Sequence, residues 1–397
     1  MYELDNDTIV VVVSDVHVGA MINYHAIFIE FLKQVYENPK NLQAVIILGD
    51  FFDVIMESVR DYCKRLYFPG RSRDGHTKSF IYMDEKTRNY DKIFLGLKKL
   101  IDKKIRVFFT LGNHEIKIIG NLEKWFFKRK KKLVEEFEKF NFKYTNIFNL
   151  KNIWQYFILT ADEGKWKLGF YDSKKEIINQ KKENIYSFDK VQTHIDSYNC
   201  LMTHGIQFET WLRKYGGGIP WYLGLKSPDA IKEVGNLLYN KVIKLSIRTI
   251  DKVFDRWLFQ SRKFVQYFLK ISLISPFLIF LMLFNKLLKM VQRKRERIKN
   301  ETYITQIKKK FIPKLGKMGY NRKFDNIIFG HTHKDIKLKE YLKYNDKSKP
   351  WKATIANSGA WQQIDTPSLI EINDKGDLKV VKYLLKEKEI EFEKILL

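Results

Sequence analysis

Five short pieces of this 397-residue chain carry side chains that could hold metal: Asp15–Val16–His17, Gly49–Asp50–Phe51–Phe52–Asp53, Gly112–Asn113–His114–Glu115, His204–Gly205 and Gly330–His331–Thr332–His333. Five of the eight histidines fall within them, so imidazole is concentrated here. Taken singly, each piece reads as a loop with an interior histidine. Taken in order, they offer seven oxygen or imidazole donors: Asp15, His17, Asp50, Asn113, His204, His331 and His333. That mixture suits divalent manganese, iron, zinc or cobalt. Calcium prefers oxygen throughout, and a structural zinc site draws on thiolates. Two cations about 3.5 to 4 Å apart bind a phosphoryl oxygen, lower the pKa of a bridging water and stabilise charge gathering at phosphorus. The chemistry expected is phosphoester hydrolysis by water, without a covalent serine or cysteine intermediate. Cys63 and Cys200 offer no supported nucleophile, and His25 and His194 read as ordinary structural or surface residues.

Such donors need strands to present them. Thr8–Val13, Ala44–Leu48, Arg106–Leu111, Asn199–Met202 and Asn326–Phe329 are hydrophobic runs that stop at these polar pieces, and open α/β sheets place ligands at such strand ends. Helical spacing of apolar residues over Ala26–Tyr36 and Ile93–Ile101 supplies crossovers between the first strands. Asn149–Asp172 reads as short strands, and Thr354–Leu397 as extended pieces broken at Gly359, Pro367 and Gly376. The fold class expected is α/β with a layered sheet.

Lys and Arg number 72 against 46 Asp and Glu, a formal charge of +26 that suits an anionic partner: nucleic acid, anionic lipid or a phosphorylated metabolite. Two isolated cysteines favour a reducing compartment. The start of the chain lacks the basic opening and apolar core of a signal peptide, so a cytoplasmic location is expected. One domain spanning 1–397 is expected, with a basic insertion at 60–90 and a mostly helical insertion at 206–320. The first contains Arg71, Arg73 and His76, candidates for contacting substrate alongside Asn113 and His114. Gly216–Gly217–Gly218 lacks the Lys and Ser or Thr of a phosphate-binding loop and reads as a turn. Within the second insertion, Phe264–Val291 contains the uncharged stretch Ile271–Phe284, interrupted by Pro276 and flanked by Lys and Arg on both sides. A membrane helix needs about 20 apolar residues. If His204 and His331 belong to one site, a single crossing would also place them on opposite sides of the bilayer. Attachment to an anionic membrane surface is expected, at the inner face of the cell membrane; burial against the protein or a homodimer partner is the other reading.

The five ordered motifs resemble the calcineurin-like metallophosphoesterase superfamily, from residue 9 to about residue 361. The resemblance implies a double β-sheet sandwich flanked by helices. It assigns Asp15, His17, Asp50 and His333 to one metal and Asp50, Asn113, His204 and His331 to the other, with Asp50 bridging. It also implies that His114 stabilises the transition state or protonates the leaving oxygen; Asp53 reads as a supporting partner of the ligands. Asn357–Ser358–Gly359–Ala360–Trp361 resembles the branch containing UDP-2,3-diacylglucosamine pyrophosphatases, although this chain has His114 and Asp53 where that branch commonly has arginine and glutamate. The function expected is hydrolysis of a phosphoester or pyrophosphate in a membrane lipid or nucleotide-linked lipid. A metal-dependent nuclease or soluble phosphodiesterase would use the same ions, but no nucleic-acid-binding module stands out. A noncatalytic lipid-binding protein would explain the apolar segment but not the complete donor set.

Overall fold

The computed structural model describes residues 4–18, 25–52, 90–116, 122–179, 184–188, 191, 195, 197–208, 303–333, 335–361, 367–386 and 389–393. All belong to a compact unit formed by Met1–Gly216 and Thr302–Leu397; a second unit, Gly217–Glu301, lies outside the described residues, and with it the apolar stretch Phe264–Val291. Asp53, residues 60–89 with Arg71, Arg73 and His76, and His194 also lie outside them. Among the described residues no helix is long and apolar enough to cross a membrane.

In chain order the elements begin Thr8–Val13 (β1), His25–Glu37 (α1), Ala44–Leu48 (β2), Tyr90–Asp102 (α2) and Arg106–Thr110 (β3). A single helical turn, Asn113–Ile116 (α3), and the helix Leu122–Lys139 (α4) lead to Tyr156–Asp162 (β4) and Lys165–Tyr171 (β5). Lys174–Asn179 (α5), Ile185–Ser187 (β6) and Ser197–Thr203 (β7) follow. Beyond the second unit come a π-helical turn, Ile307–Phe311, and Ile312–Lys317 (α6). The chain closes with Asn326–Phe329 (β8), Ile336–Leu342 (β9), Trp351–Asn357 (β10), Ser368–Asn373 (β11), Leu378–Lys386 (β12) and Glu389–Glu393 (β13).

The described strands form two sheets, ordered β13-β12-β11-β1-β2-β3 and β6-β5-β4-β7-β8-β10-β9. β1, β2 and β3 run parallel in the first, and β7, β8 and β10 in the second. This is the layered α/β architecture expected of the metallophosphoesterase fold. Both faces of β1 are covered, which is why its sequence is an uninterrupted apolar run. Val10 and Val12 meet β4, β7 and β8 residues such as Phe157, Met202 and Ile328 between the sheets. Val11 and Val13 pack outward against Phe28, Phe31 and Leu32 of α1 and Phe94 of α2. A third cluster covers the far face of the second sheet, where Ile307, Phe311 and Leu315 lie against Tyr156, Leu201 and Ile327. The segment from Tyr303 onward thus belongs to this unit's own core.

Helix α4 is concealed in the sequence because Lys128–Arg129–Lys130–Lys131–Lys132 obscures its apolar spacing. Phe126, Leu133, Val134 and Phe137 are buried, and Lys130 shares that buried face. Its ammonium donates to the Ile153 carbonyl at 3.1 Å, pairs with Asp172 Oδ2 at 2.6 Å and lies 4.2 Å from the Trp154 ring centroid. Ile153 is bridged to Phe109 of β3, so this buried charge rivets α4 to the end of the first sheet. Replacing Lys130 by Ala strands a largely buried carboxylate and is expected to lower stability by roughly 3 kcal/mol in urea titration. The double change Lys130→Met with Asp172→Leu should recover most of it.

Candidate metal centre

Because the central strands are parallel within each sheet, their C-terminal ends gather the polar pieces at one edge. Asp15 and His17 follow β1, Asp50 follows β2, and Asn113 opens α3 beyond β3. His204 follows β7, and His331 and His333 follow β8. Turning the chain this sharply demands left-handed backbone at non-glycine residues: φ is 52° at Asp15, 50° at His17, 48° at Asp50, 70° at His331 and 60° at His333. Such conformations cost energy and persist only where surroundings fix them. Main-chain bonds do so here. Asp15 N–H donates to Gly49 O at 3.1 Å, His17 N–H to Asp50 O at 2.8 Å, and Gly330 N–H to His204 O at 3.0 Å.

Two overlapping donor clusters result. Asp15, His17, Asp50 and His333 form one, and Asp50, His204 and His331 the other, each with one donor atom per residue within 4.8 Å of the rest. Asn113 Oδ1 adjoins the second, 3.3 Å from His204 Nε2, which in turn lies 3.1 Å from His331 Nδ1. Asp15 Oδ1 and Asp50 Oδ2 are buried with no hydrogen-bond partner. They face imidazole nitrogens instead: His333 Nε2 is 3.1 Å from Asp15 Oδ1, His204 Nε2 is 3.5 Å from Asp50 Oδ2, and His17 Nε2 is 3.9 Å from both. Buried carboxylate oxygens and imidazole nitrogens converging on one volume are what a shared cation requires, because oxygen and imidazole donors each bind a transition-type divalent ion at about 2.0–2.2 Å. The residues therefore fit divalent metal. His114 stands beside them, its Nε2 4.0 Å from Asp50 Oδ2 and its ring edge-on to His17 at 4.2 Å between centroids.

Several supporting residues are invisible as such in the sequence. Glu115 accepts from the main-chain N–H groups of Asp50, Phe52 and Gly112 at 3.1, 2.8 and 2.8 Å, tying the β2 and β3 loops together. His114 N–H fixes Asp50 Oδ1 at 2.8 Å, and His331 N–H fixes Asp15 Oδ2 at 2.8 Å. Phe51 and Phe52 anchor the Asp50 loop by packing on Phe148, with centroids 5.4 and 4.7 Å away. Asn357 donates to Gly330 O and Thr332 Oγ1 at 2.9 and 2.8 Å, holding the turn that carries His331 and His333, while Trp361 N–H donates to Asp15 O at 3.1 Å. The Asn357–Trp361 motif is thus occupied in scaffolding. Its only local signals were the small residues that such close packing needs. His25 is buried at the start of α1, and Cys200 lies in the core of β7, where burial pushes its thiol pKa up.

Burial disfavours charge on His204, but Asp50 and Asp15 outweigh it and push its pKa up to about 9. Burial likewise opposes ionisation of Asp50, yet His204, His114 and His17 hold its carboxyl well below the usual range. Burial followed by the charge of Asp50 pushes Glu115 up to about 7. His204 Nδ1 lies 2.6 Å from the Leu48 carbonyl, which can only accept, so Nδ1 carries a proton and Nε2 is the donor atom for metal.

A family model described as calcineurin-like phosphoesterase matches residues 9–219, over half of the chain; it spans Asp15 to His204 and ends before His331 and His333. No curated protein matches the chain.

Two outcomes follow from this geometry. Without metal, His204 gains a proton on folding whose stabilising effect is whole below about 6.5 and is lost as pH rises through about 9. Metal must displace that proton, so calorimetry in buffers of different ionisation enthalpy should show proton release near neutrality, and affinity should rise with pH up to about 9. Buffer-independent heats would contradict this. Separately, a Cβ on Gly112 would strike the Asp50 carboxylate and main chain, so Gly112→Ala should weaken metal binding by at least about tenfold, measured by equilibrium dialysis.

Proposed function

This chain belongs to the calcineurin-like phosphoesterase family, and we propose that it hydrolyses a phosphoester or pyrophosphate bond in a membrane lipid or a nucleotide-linked lipid. The observation that carries the hydrolytic reading is the pair of donor clusters sharing the buried carboxylate of Asp50. Asp15, His17, Asp50 and His333 would hold one divalent ion, and Asp50, Asn113, His204 and His331 the other, with manganese the first candidate. Bound there, the ions supply polarisation of the phosphoryl oxygen and a water of lowered pKa.

The chain's own residues do the rest. Asp50 fixes the spacing of the two clusters, because its Oδ1 is held by His114 N–H while Oδ2 faces the imidazoles. His204 is oriented by Leu48, and His331 and His333 by the Asn357-braced turn. His114 presents its imidazole beside the shared carboxylate, where it can give a proton to the departing oxygen. Asn113 and His114 border the substrate's phosphate; Arg71, Arg73 and His76 are further candidates for that contact.

Support for a lipid substrate comes from sequence. The apolar stretch Ile271–Phe284 with basic flanks suits peripheral contact with anionic lipid at the inner face of the membrane. The resemblance of Asn357–Trp361 to lipid-sugar pyrophosphatases points the same way, although its scaffolding bonds would serve any substrate equally.

Manganese-loaded protein is expected to cleave a nucleotide-linked lipid pyrophosphate faster with anionic liposomes than without, and in preference to single-stranded DNA. Asp50→Asn should lower turnover at least about a hundredfold while leaving the fold intact by circular dichroism. Preferential, liposome-independent cleavage of DNA would replace the lipid reading with a nuclease. Unchanged turnover in Asp50→Asn would remove the assigned centre.

A further inference from the structure

The helical segment over residues 303–317 carries charge of a single sign. Between Tyr303 and Tyr320 the chain has Lys308, Lys309, Lys310, Lys314 and Lys317 and no Asp or Glu. Its apolar side is taken up by the fold: Ile307, Phe311, Ile312 and Leu315 are buried in the cluster that covers the far face of the second sheet. The π turn and α6 turn the rest outward, and Lys309, Lys310, Lys314 and Lys317 are all exposed. Lys310, Lys314 and Lys317 recur at three- and four-residue spacing and so share a face, with Lys309 at its margin. A row from Lys309 to Lys317 extends roughly 12 Å along the helix.

The carboxylates next to this segment are committed elsewhere. Glu340 of β9 pairs with Lys308, Asp162 at the end of β4 lies 3.4 Å from Arg322, and Asp325 accepts from Asn199 N–H at 2.8 Å. Like charges three and four residues apart on a helix repel one another. An anionic surface laid along the row removes that repulsion.

Two further features select the kind of anion. Leu338 of β9 is 45% exposed and lies two residues before Glu340 on the same side of the strand, which sets an aliphatic side chain beside the lysines. Single-stranded nucleic acid is gripped by aromatic side chains on which bases stack, whereas an aliphatic side chain among lysine stems and ammonium groups matches the headgroup region of a bilayer. The segment also begins at the metal centre, where the Tyr303 ring stacks on Phe329 at 5.8 Å and lies 5.9 Å from that of His331. A bilayer held along the row would therefore lie next to the edge at which a lipid headgroup must arrive.

We propose that the exposed face of Lys309, Lys310, Lys314 and Lys317, with Leu338 beside it, docks this protein onto an anionic membrane. This deepens the lipid reading, from which it takes the choice of polyanion. It is a contact separate from the apolar stretch Ile271–Phe284.

The test uses the full chain and co-sedimentation with vesicles of equal parts phosphatidylcholine and phosphatidylserine. One variant combines Lys309→Gln, Lys310→Gln, Lys314→Gln and Lys317→Gln. A charge-matched control combines Lys33→Gln, Lys103→Gln, Lys132→Gln and Lys151→Gln, at lysines that are also exposed but lie on other elements. All eight positions are at the surface, so both variants should melt as wild type does. A lysine close to an anionic bilayer contributes about fivefold in affinity. The row variant is therefore expected to bind at least about fiftyfold more weakly than wild type, and the control within about threefold. Equal losses in the two variants, an unchanged row variant, or wild type that binds pure phosphatidylcholine vesicles as well would overturn the docking face. Binding of a single-stranded oligonucleotide is measured on the same proteins, and a larger loss there than on vesicles would assign the face to nucleic acid instead. Manganese-supported cleavage of the nucleotide-linked lipid in neutral detergent is read separately. No cleavage by wild type would sink the lipid-substrate reading and leave the docking face standing; cleavage without row-dependent vesicle binding would do the reverse.

Discussion

Two carboxylates, Asp15 and Asp50, are buried among five imidazoles, and the rest of this molecule is arranged around meeting the cost of putting them there. An ionised carboxylate removed from water is tolerable only if it is paired, hydrogen-bonded or bound to a cation. One oxygen of each is held by a main-chain N–H, from His331 for Asp15 and from His114 for Asp50. The other oxygen of each faces imidazole nitrogens at distances that mostly exceed a hydrogen bond. In the metal-free protein that unmet charge is answered by protonating His204. In the loaded protein it is answered by metal, which makes metal binding, proton release and local stability one linked equilibrium.

Geometry follows from the same constraint. Left-handed backbone at five of the ligands lets short turns reverse direction within a residue or two and aim several donors at one volume. That strain is held by a double layer of support: Glu115 binds the β2 and β3 loops into one body, and Asn357 braces the β8 turn. The two sheets meet at the metal edge through other bonds, His331 N–H to Asp15 Oδ2 and His204 Nδ1 to the Leu48 carbonyl, while the valines and phenylalanines between them fix the distance from one sheet's ligands to the other's. A family match ending at residue 219 covers the ligands through His204. His331 and His333 reach one cluster each because β8 runs parallel to β7 and leaves the sheet beside it.

How much could be read from the sequence depended on whether a residue's neighbours were local. β1, β2 and β8 were legible because strands buried on both faces are unbroken apolar runs ending in polar residues. α1 and α2 were legible from helical spacing, each extending slightly beyond its expected ends. α4 was not, since Lys130 occupies an interior position that only Asp172 and Ile153, distant in sequence, can satisfy. β9 was missed as an edge strand whose exposed lysines blur alternation. The donor residues were recognisable by type and order, and the structure gathers Asp15, His17, Asp50, His204, His331 and His333 into the two clusters with Asn113 alongside. Glu115 carries no local signature: its importance lies in three backbone N–H groups.

The central claim is that Asp50 is common to two cation sites, and electron paramagnetic resonance of the manganese-loaded protein tests it most directly. Two ions per chain joined through one carboxylate predict an exchange-coupled signal that Asp50→Ala converts to that of isolated manganese. A wild-type spectrum of magnetically independent ions, or loading that saturates at one ion per chain, would contradict the account.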